Sequence, residues 1–306
     1  MRHLILLMCF VLVWTHPSRA EESLEALWAQ VDQLDPVETL VNPDAYIALM
    51  NRIKALTDSR EVYRDGSALY LEHSGPIYLD SYGRLSDICT ANLLTDQPGS
   101  SRRLVATAAH CLQTAQKQGR QPKVVFHSRD GSLVQTSLSL LALNEEKDYA
   151  LLAVDDFSAV RSIEPLSLPP DVSQEYDSFW DYLLLEFYDY DLMMAGYCGD
   201  DGRGQRGQVL TYDHQCQEIG LQEFWANTNC TMYPGSSGGA VLYGYTDDDG
   251  MSHHYFIGLI HSGTVLGQFT RAFGVDKKPQ VASYLSYEFM VEDLNRWFAD
   301  PKALPH

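Results

Sequence analysis

A serine set among glycines is the first residue of this sequence that could carry out chemistry. Ser237 lies in Met232–Leu242, MYPGSSGGAVL, ahead of an apolar run that predicts a strand. The glycines at 235 and 238 permit a sharp turn and let another molecule approach the hydroxyl closely. Such a serine is either a nucleophile or part of a tight turn, and these eleven residues alone do not decide between the two.

A serine nucleophile needs a base, and the context of one histidine sets it apart. His110 ends an apolar strand, LVATAAHC, that turns through small residues, and Cys111 follows it directly. Cys89 lies upstream at the start of another predicted strand. A disulfide between Cys89 and Cys111 would fix the backbone that carries His110 and would contribute about 2–4 kcal/mol to stability.

The base in turn needs a buried acid that holds the imidazole in one tautomer. Asp148 meets that need, because it stands at the start of the strongly apolar run YALLAV. The neighbouring Glu145 and Glu146 are predicted to be solvated loop charges. The sequence therefore offers a base, an acid and a hydroxyl in the order His110, Asp148, Ser237.

Three motifs that contain these residues resemble the three signatures of chymotrypsin-fold, trypsin-like serine proteases. They are TAAHC at Thr107–Cys111, DYALLAV at Asp148–Val154 and PGSSGGAVL at Pro234–Leu242, in the order of that family. The proline-rich segment Ile163–Pro170, IEPLSLPP, is similar to the connector between the two halves of the family fold. The resemblance covers the chain from about Ser67 to Phe298.

The resemblance implies an all-β fold of two packed antiparallel β-barrels, with a helical segment before them and a C-terminal helix. It implies that His110, Asp148 and Ser237 form a catalytic triad and that the backbone N–H groups of Gly235 and Ser237 form the oxyanion hole. The expected function is a serine endopeptidase that passes through an acyl-enzyme. A catalytically silent homologue that acts as a binding protein is the alternative.

The segment Gly235–Gly239 also matches the G-x-S-x-G elbow of α/β-hydrolases. That fold requires the acid and the histidine after the serine, on a strand–elbow–helix unit. Here Ala240–Tyr243 continues as a predicted strand and few residues remain beyond it. We therefore reject the lipase or esterase interpretation.

Departures from the trypsin pattern bear on activation and specificity. Ser236 stands where trypsin-like members carry the aspartate that pairs with a freshly cut N-terminus, so that switch cannot operate in its usual form. Thr231, at the expected floor of the substrate pocket, is not the aspartate that selects Arg or Lys. His261, close to Gly263, lies where the glutamyl-endopeptidase-like branch places a histidine that recognises an acidic side chain. The strong negative charge of the chain argues against acidic substrates, and a shift of one residue would make His261 a neutral wall position.

Similarity to the same branch pairs Cys216 with Cys230 and leaves Cys198 unpaired. Cys198 is then expected to be a small buried residue rather than a reactive thiol.

The chain divides by composition into four predicted segments. Residues 1–20 have the pattern of an export signal, with Arg2 and His3 before an apolar core. Residues 21–66 are predicted to be helical, and we leave open whether they are a removed pro-segment or a packed extension. Residues 67–170 form the predicted first barrel, and residues 171–306 form the second barrel with the C-terminal helix.

The charge balance limits the partners. The 306-residue chain has 22 Lys and Arg against 41 Asp and Glu, a formal net charge of −19. It therefore lacks the basic footprint that nucleic acids or anionic membranes require, and protein or peptide substrates are expected. Neither cofactor nor metal is expected, and Thr246–Gly250 is predicted to be a hairpin turn rather than a calcium loop. The predicted location is extracellular, or periplasmic in a bacterium, and the sequence leaves the oligomeric state open.

Overall fold

The computed structural model describes residues 23–35, 42, 44–64, 71–78, 89–97, 99–128, 130–170, 191–222, 224–246, 252–264 and 281–300. The predicted export signal and residues 247–250 of the predicted hairpin turn lie outside these ranges. The chain divides after Leu56 into two compact units, Met1–Leu56 and Thr57–His306. No helix in the described ranges is both long and apolar enough to cross a membrane.

The first unit contains two helices, α1 at Leu24–Asp32 and α2 at Asp44–Thr57, the second of which ends just beyond the unit. The Ser23 side chain caps α1 by accepting a hydrogen bond from the Ala26 N–H at 3.2 Å. Apolar side chains at helical spacing are buried, as the periodicity predicts: Leu27, Trp28, Leu49, Met50 and Ile53.

The first half of the second unit is a closed six-stranded antiparallel barrel. Its strands are β2 Ser74–Tyr78, β3 Cys89–Thr95, β4 Leu104–Thr107, β5 Lys123–His127, β6 Leu133–Asn144 and β7 Tyr149–Val154. They pair in the order β2-β5-β6-β7-β4-β3, and β3 returns to β2. The two-residue strand β8, Leu166–Ser167, adds to β3 in parallel, so the predicted connector itself contributes to the sheet.

The second half is an eight-stranded antiparallel sheet. Its strands are β1 Glu61–Val62, β9 Asp191–Tyr197, β10 Leu210–Cys216, β11 Glu218–Gln222, β12 Trp225–Thr228, β13 Ala240–Thr246, β14 Ser252–Thr264 and β15 Val281–Ser286. Their order is β1-β10-β9-β13-β14-β15-β12-β11. The sequence assigned β1 to the helical N-terminal segment, whereas here it pairs with β10 in the second sheet. The boundary at residue 66 stays a prediction.

Apolar side chains from both sheets meet in one buried cluster. Leu104 and Leu151 of the barrel pack there with Ala195 and Leu242 of the second sheet. The C-terminal helix α4, Val291–Ala299, adds Leu294 and Phe298 to the same cluster. Because β7 is buried along its whole length, its sequence is apolar throughout instead of alternating. This shared core fixes the barrel against the second sheet.

Two disulfides lie in the second unit. Cys89 at the start of β3 is bonded to Cys111, with 6.0 Å between their Cα atoms, and Cys216 is bonded to Cys230 across 4.8 Å. Cys198 is a free, buried thiol. The pairing is the one that the sequence motifs predicted.

Candidate active site

His110 is carried by a short turn at the end of β4. The 3₁₀ turn Ala109–Leu112 begins one residue after the strand, and α3, Gln113–Lys117, continues from it. Ala109 and Cys111 on either side of His110 are buried, while 39% of the His110 side chain is exposed. The Cys89–Cys111 bond ties this turn back to β3. The imidazole is thus accessible on a backbone that is fixed on both sides.

Asp148 adopts an unusual backbone conformation next to His110. Its φ of 56° lies in the left-handed region, which aspartate tolerates better than most residues but at a cost of about 1 kcal/mol. In that conformation the Asp148 carboxylate accepts the His110 backbone N–H at Oδ1 (2.8 Å) and contacts His110 Nδ1 through Oδ2 (2.7 Å). The carboxylate therefore orients both the ring and the backbone of His110.

These contacts keep Asp148 ionised. Burial opposes the ionised form, but hydrogen bonds from the rings of His110 and His261 and from the His110 N–H outweigh it and lower the pKa of Asp148 to about 2. Since a carboxylate only accepts hydrogen bonds, His110 Nδ1 must carry the proton in this arrangement. In the neutral ring, Nε2 of His110 is then left as a proton acceptor.

A second histidine shares the same carboxylate oxygen. His261 Nδ1 lies 2.5 Å from Oδ2 of Asp148. Its ring stacks on Trp225, with 3.9 Å between the ring centroids and an interplanar angle of 24°, and meets His110 edge to face at 6.0 Å. The imidazole that the sequence assigned to substrate recognition is thus in contact with Asp148. Neither Trp225 nor this contact was anticipated from the sequence.

The turn around Ser237 depends on two glycines. Gly235 has φ +102°, and a Cβ there would lie 2.6 Å from the Tyr197 carbonyl oxygen. Gly238 has φ +77°, and a Cβ there would lie 2.2 Å from Thr107 Oγ1. Both positions combine a left-handed backbone with a space too small for any side chain. The glycines of the motif are therefore required by the turn itself.

The Ser237 hydroxyl donates to the backbone carbonyl of His261 at 3.3 Å. None of the hydrogen bonds of the described residues joins it to His110. Among the hydrogen bonds of the described residues, none is donated by the backbone N–H of Gly235 or of Ser237. The Ser236 N–H and hydroxyl both donate to the Tyr233 carbonyl. The two amides predicted to bind an oxyanion are thus available as donors.

Polar groups on β3 of the barrel hold the serine turn, and the sequence did not reveal them. The Thr90 N–H donates to the Ser237 carbonyl at 2.8 Å, and the Thr90 hydroxyl donates to the Gly235 carbonyl at 3.2 Å. The Asn92 amide donates to the Gly238 carbonyl at 2.8 Å. Both side chains are fully buried. The sequence signal that could have revealed these contacts is the pair of polar residues at alternate positions of a buried strand.

The remaining predicted pocket residues have other partners. Thr231 is buried, its N–H donates to Asp213 Oδ2 at 2.7 Å, and its hydroxyl lies 3.2 Å from that of Ser59. Gly263 pairs with Ala282 in the ladder between β14 and β15. Their predicted contact with substrate is not tested by these interactions.

His110, Asp148 and His261 are also the groups with ligand chemistry suited to a metal. Their donor atoms lie within 4.8 Å of one another. However, Asp148 Oδ2 is only 2.7 and 2.5 Å from the two ring nitrogens. Ligands of a tetrahedral zinc lie roughly 3.3 Å apart at Zn–N and Zn–O distances near 2.0 Å. The observed spacing is that of hydrogen bonds and does not fit zinc as it stands.

Comparison with known proteins identifies the domain. Residues 95–246, which include His110, Asp148 and Ser237, match the family model described as a trypsin-like peptidase domain. The chain carries a trypsin-like peptidase domain. No curated protein matches the sequence.

Solved structures resemble the peptidase domain in fold. A glutamyl endopeptidase in complex with MPD is 14% identical, with a TM-score of 0.51, over 79% of this chain and 98% of that one. The thermostable serine protease AL20 from an extremophilic microorganism is 16% identical, with a TM-score of 0.47, over 74% of this chain and 96% of that one. At 14% identity, the likeness to the glutamyl endopeptidase shows the chymotrypsin-type fold and not a shared substrate.

Proposed function

We propose that this chain is a secreted serine endopeptidase in which His110, Asp148 and Ser237 act as the triad. The observation that carries the proposal is the Asp148 carboxylate, which holds Nδ1 of His110 at 2.7 Å and its backbone N–H at 2.8 Å beside the Ser237 turn. The trypsin-like peptidase domain supports the peptidase class. The two disulfides suit an oxidising compartment outside the cytosol.

The mechanism follows from the proton positions. With the Nδ1 proton donated to Asp148, Nε2 of His110 is the acceptor for the Ser237 proton as the hydroxyl attacks the scissile carbonyl. His110 then returns the proton to the leaving amine. The free N–H groups of Gly235 and Ser237 bind the developing oxyanion, and removal of one such donor typically lowers the rate ~10²–10³-fold. The Ser237 hydroxyl must rotate away from the His261 carbonyl to reach His110, a change common on substrate binding.

We propose that this site prefers peptide substrates with neutral rather than acidic side chains. His261 Nδ1 contacts Asp148, and Thr231 donates to Asp213, so both residues already have partners within the protein. The formal charge of −19 also repels acidic peptides at long range. A cleavage profile on a peptide library with Glu or Asp enriched before the cut would contradict this part of the proposal.

Labelling with a fluorophosphonate tests the triad. The wild-type protein should react at one serine, and Ser237→Ala should abolish the reaction. Ser236→Ala is the matched control, because the Ser236 hydroxyl is held by the Tyr233 carbonyl, and it should still be labelled. A wild-type protein that is not labelled would favour the silent homologue that acts as a binding protein. Labelling undiminished in Ser237→Ala would exclude Ser237 as the nucleophile.

A further inference from the structure

A fully buried arginine lies between α2 and β1. The Arg60 guanidinium has no exposed surface. It donates to Asp58 through Nε (2.9 Å) and Nη2 (2.7 Å) and to Asp200 through Nη1 (2.8 Å) and Nη2 (3.2 Å). Burial alone would lower the pKa of Arg60, but these hydrogen bonds outweigh it and raise the pKa above its ordinary value. A buried cation with two carboxylate partners is costly to assemble, so its position calls for an explanation.

The guanidinium packs directly against the turn that carries Ser237. Arg60 Cζ lies 4.0 Å from the centroid of the Tyr233 ring, a distance at which the face of the ring attracts a cation. The Tyr233 carbonyl accepts both the N–H and the hydroxyl of Ser236, the residue between Gly235 and Ser237. One side of the turn is thus held through Tyr233.

The other side of the turn is held through the second carboxylate. Asp200 follows Gly199, whose N–H donates to the Pro234 carbonyl at 2.6 Å. Asp200 Oδ2 also accepts the Gly204 N–H at 3.2 Å, which closes its own loop. Arg60 therefore connects to the Pro234–Ser237 turn from two directions.

The residue before Arg60 reaches the floor of the expected pocket. The Ser59 hydroxyl donates to Oδ2 of the fully buried Asp213 at 2.6 Å, and the same oxygen accepts the Thr231 N–H at 2.7 Å. After Arg60 the chain enters the second sheet as β1, where Glu61 pairs with Tyr212. The segment Asp58–Val62 is therefore built into the peptidase domain and is not a detachable tail.

We propose that Arg60 is a positioning residue whose guanidinium, held by Asp58 and Asp200, orders the Tyr233–Ser237 turn and its two oxyanion amides without a freed N-terminus. This role rests on the proposed serine endopeptidase activity. It agrees with Ser236 at the position before the nucleophile, since Ser236 has no carboxylate to pair with a new amino group. It also requires that any removal of the N-terminal helices occurs before Asp58.

The first test is Arg60→Met in the full chain, with peptide hydrolysis and inhibitor binding as readouts. We expect kcat to fall ~10²–10³-fold, as when an oxyanion donor is lost. Affinity for a peptide aldehyde, which binds as an oxyanion, should fall by a similar factor, whereas affinity for the product peptide should be unchanged. Arg203→Met is the matched control, because Arg203 is half-exposed, lies 3.9 Å from the same Asp58 carboxylate, and should behave as wild type.

A second variant keeps the test decisive if Arg60→Met does not fold. Asp58→Asn and Asp200→Asn added to Arg60→Met remove the two partly buried carboxylates, which would otherwise lack a cation, together with Arg60. The folded triple variant should show the same selective loss of kcat and aldehyde binding. Wild-type turnover in Arg60→Met or in the triple variant would overturn the role of Arg60 but not the proposed function. Absence of Ser237-dependent turnover in the wild-type protein would overturn the proposed function and this role with it.

N-terminal sequencing of the active mature protein is an independent test. We expect its first residue at Asp58 or earlier, so that Arg60 and both carboxylates are retained. An active form that begins after Arg60 would show that the guanidinium is dispensable and would overturn the proposal.

Discussion

The two halves of the site are held in different ways. On the barrel side, His110 lies beside a disulfide to β3 and Asp148 precedes the buried strand β7, so the proposed acid–base pair is held by covalent and strand contacts. On the other side, the Ser237 turn is held by glycine backbone conformations, by two hydrogen bonds from Thr90 and one from Asn92, and by Arg60. The backbone around His110 and Asp148 should therefore be harder to displace by a single substitution than the Ser237 turn.

The largest effect should follow from loss of the charge that orients His110. Asp148→Asn keeps the shape but replaces an acceptor oxygen with a donor, so His110 loses its preferred tautomer. We expect kcat/KM to fall ~10⁴-fold, with peptide KM nearly unchanged. Steady-state kinetics on one peptide measure this, and a loss below tenfold would mean that Asp148 does not orient the base.

The next effect should come from the junction of the two halves. In Gly238→Ala the new Cβ would lie 2.2 Å from Thr107 Oγ1 and 2.4 Å from the Thr90 carbonyl oxygen, so the turn must separate from the barrel. We expect the free energy of unfolding to fall by roughly 3–4 kcal/mol.

Gly131→Ala provides the control, because its φ of +78° matches but nothing lies within 4 Å of the added Cβ. It should cost only about 1 kcal/mol. Urea unfolding in a Ser237→Ala background avoids self-digestion. Equal losses in the two variants would mean that close packing at Gly238 does not matter.

Removal of the barrel disulfide should separate stability from activity. The Cys89→Ala, Cys111→Ala double variant should lose about 3 kcal/mol, because the bond closes a 22-residue separation. The Cys216→Ala, Cys230→Ala variant, with a separation of 14, should lose a similar amount. Only the first should also lower kcat, since it frees the turn that carries His110. A kcat loss in the second variant alone would reverse the comparison.

The smallest effect concerns acid stability. The pKa of Asp148 is lowered from 3.8 to about 2 on folding, so its ionised form stabilises the protein above about pH 4, and this contribution is lost as the pH falls toward 2. Asp148→Asn should therefore cost about 2 kcal/mol more at pH 6 than at pH 2. Urea unfolding in the Ser237→Ala background measures the difference, and an equal cost at the two pH values would contradict this expectation.

The sequence predicted what is local and missed what depends on the fold. The fold class and the strands around His110, Asp148 and Ser237 follow from apolar runs and family motifs, and the fold is confirmed. β11 and β12 were not predicted because Glu218–Gln222 and Trp225–Thr228 are short and each contains only two apolar side chains. The orientation of His261 could not be predicted, since the period of a strand fixes a face but not the side chain's partner across the sheet.

Arg60 was missed for a related reason. An Asp-Ser-Arg-Glu run has the composition of a solvated loop, and charged residues are mostly exposed. Its burial depends on Asp200, 140 residues away in sequence, and on the face of Tyr233. Long-range pairs of this kind leave no local periodicity. The triad roles and the substrate pocket remain predictions that the experiments above decide.

The free thiol of Cys198 has a practical consequence. It is wholly buried, on the loop whose Cys198 carbonyl accepts the Gly207 N–H, next to the residues that Arg60 holds. A thiol reacts as its thiolate and only when a reagent reaches it. Pulsed alkylation of the Cys198 sulfur in the native protein would therefore measure how often this loop opens spontaneously. Alkylation of Cys198 would thus report how often the structure next to the Ser237 turn opens.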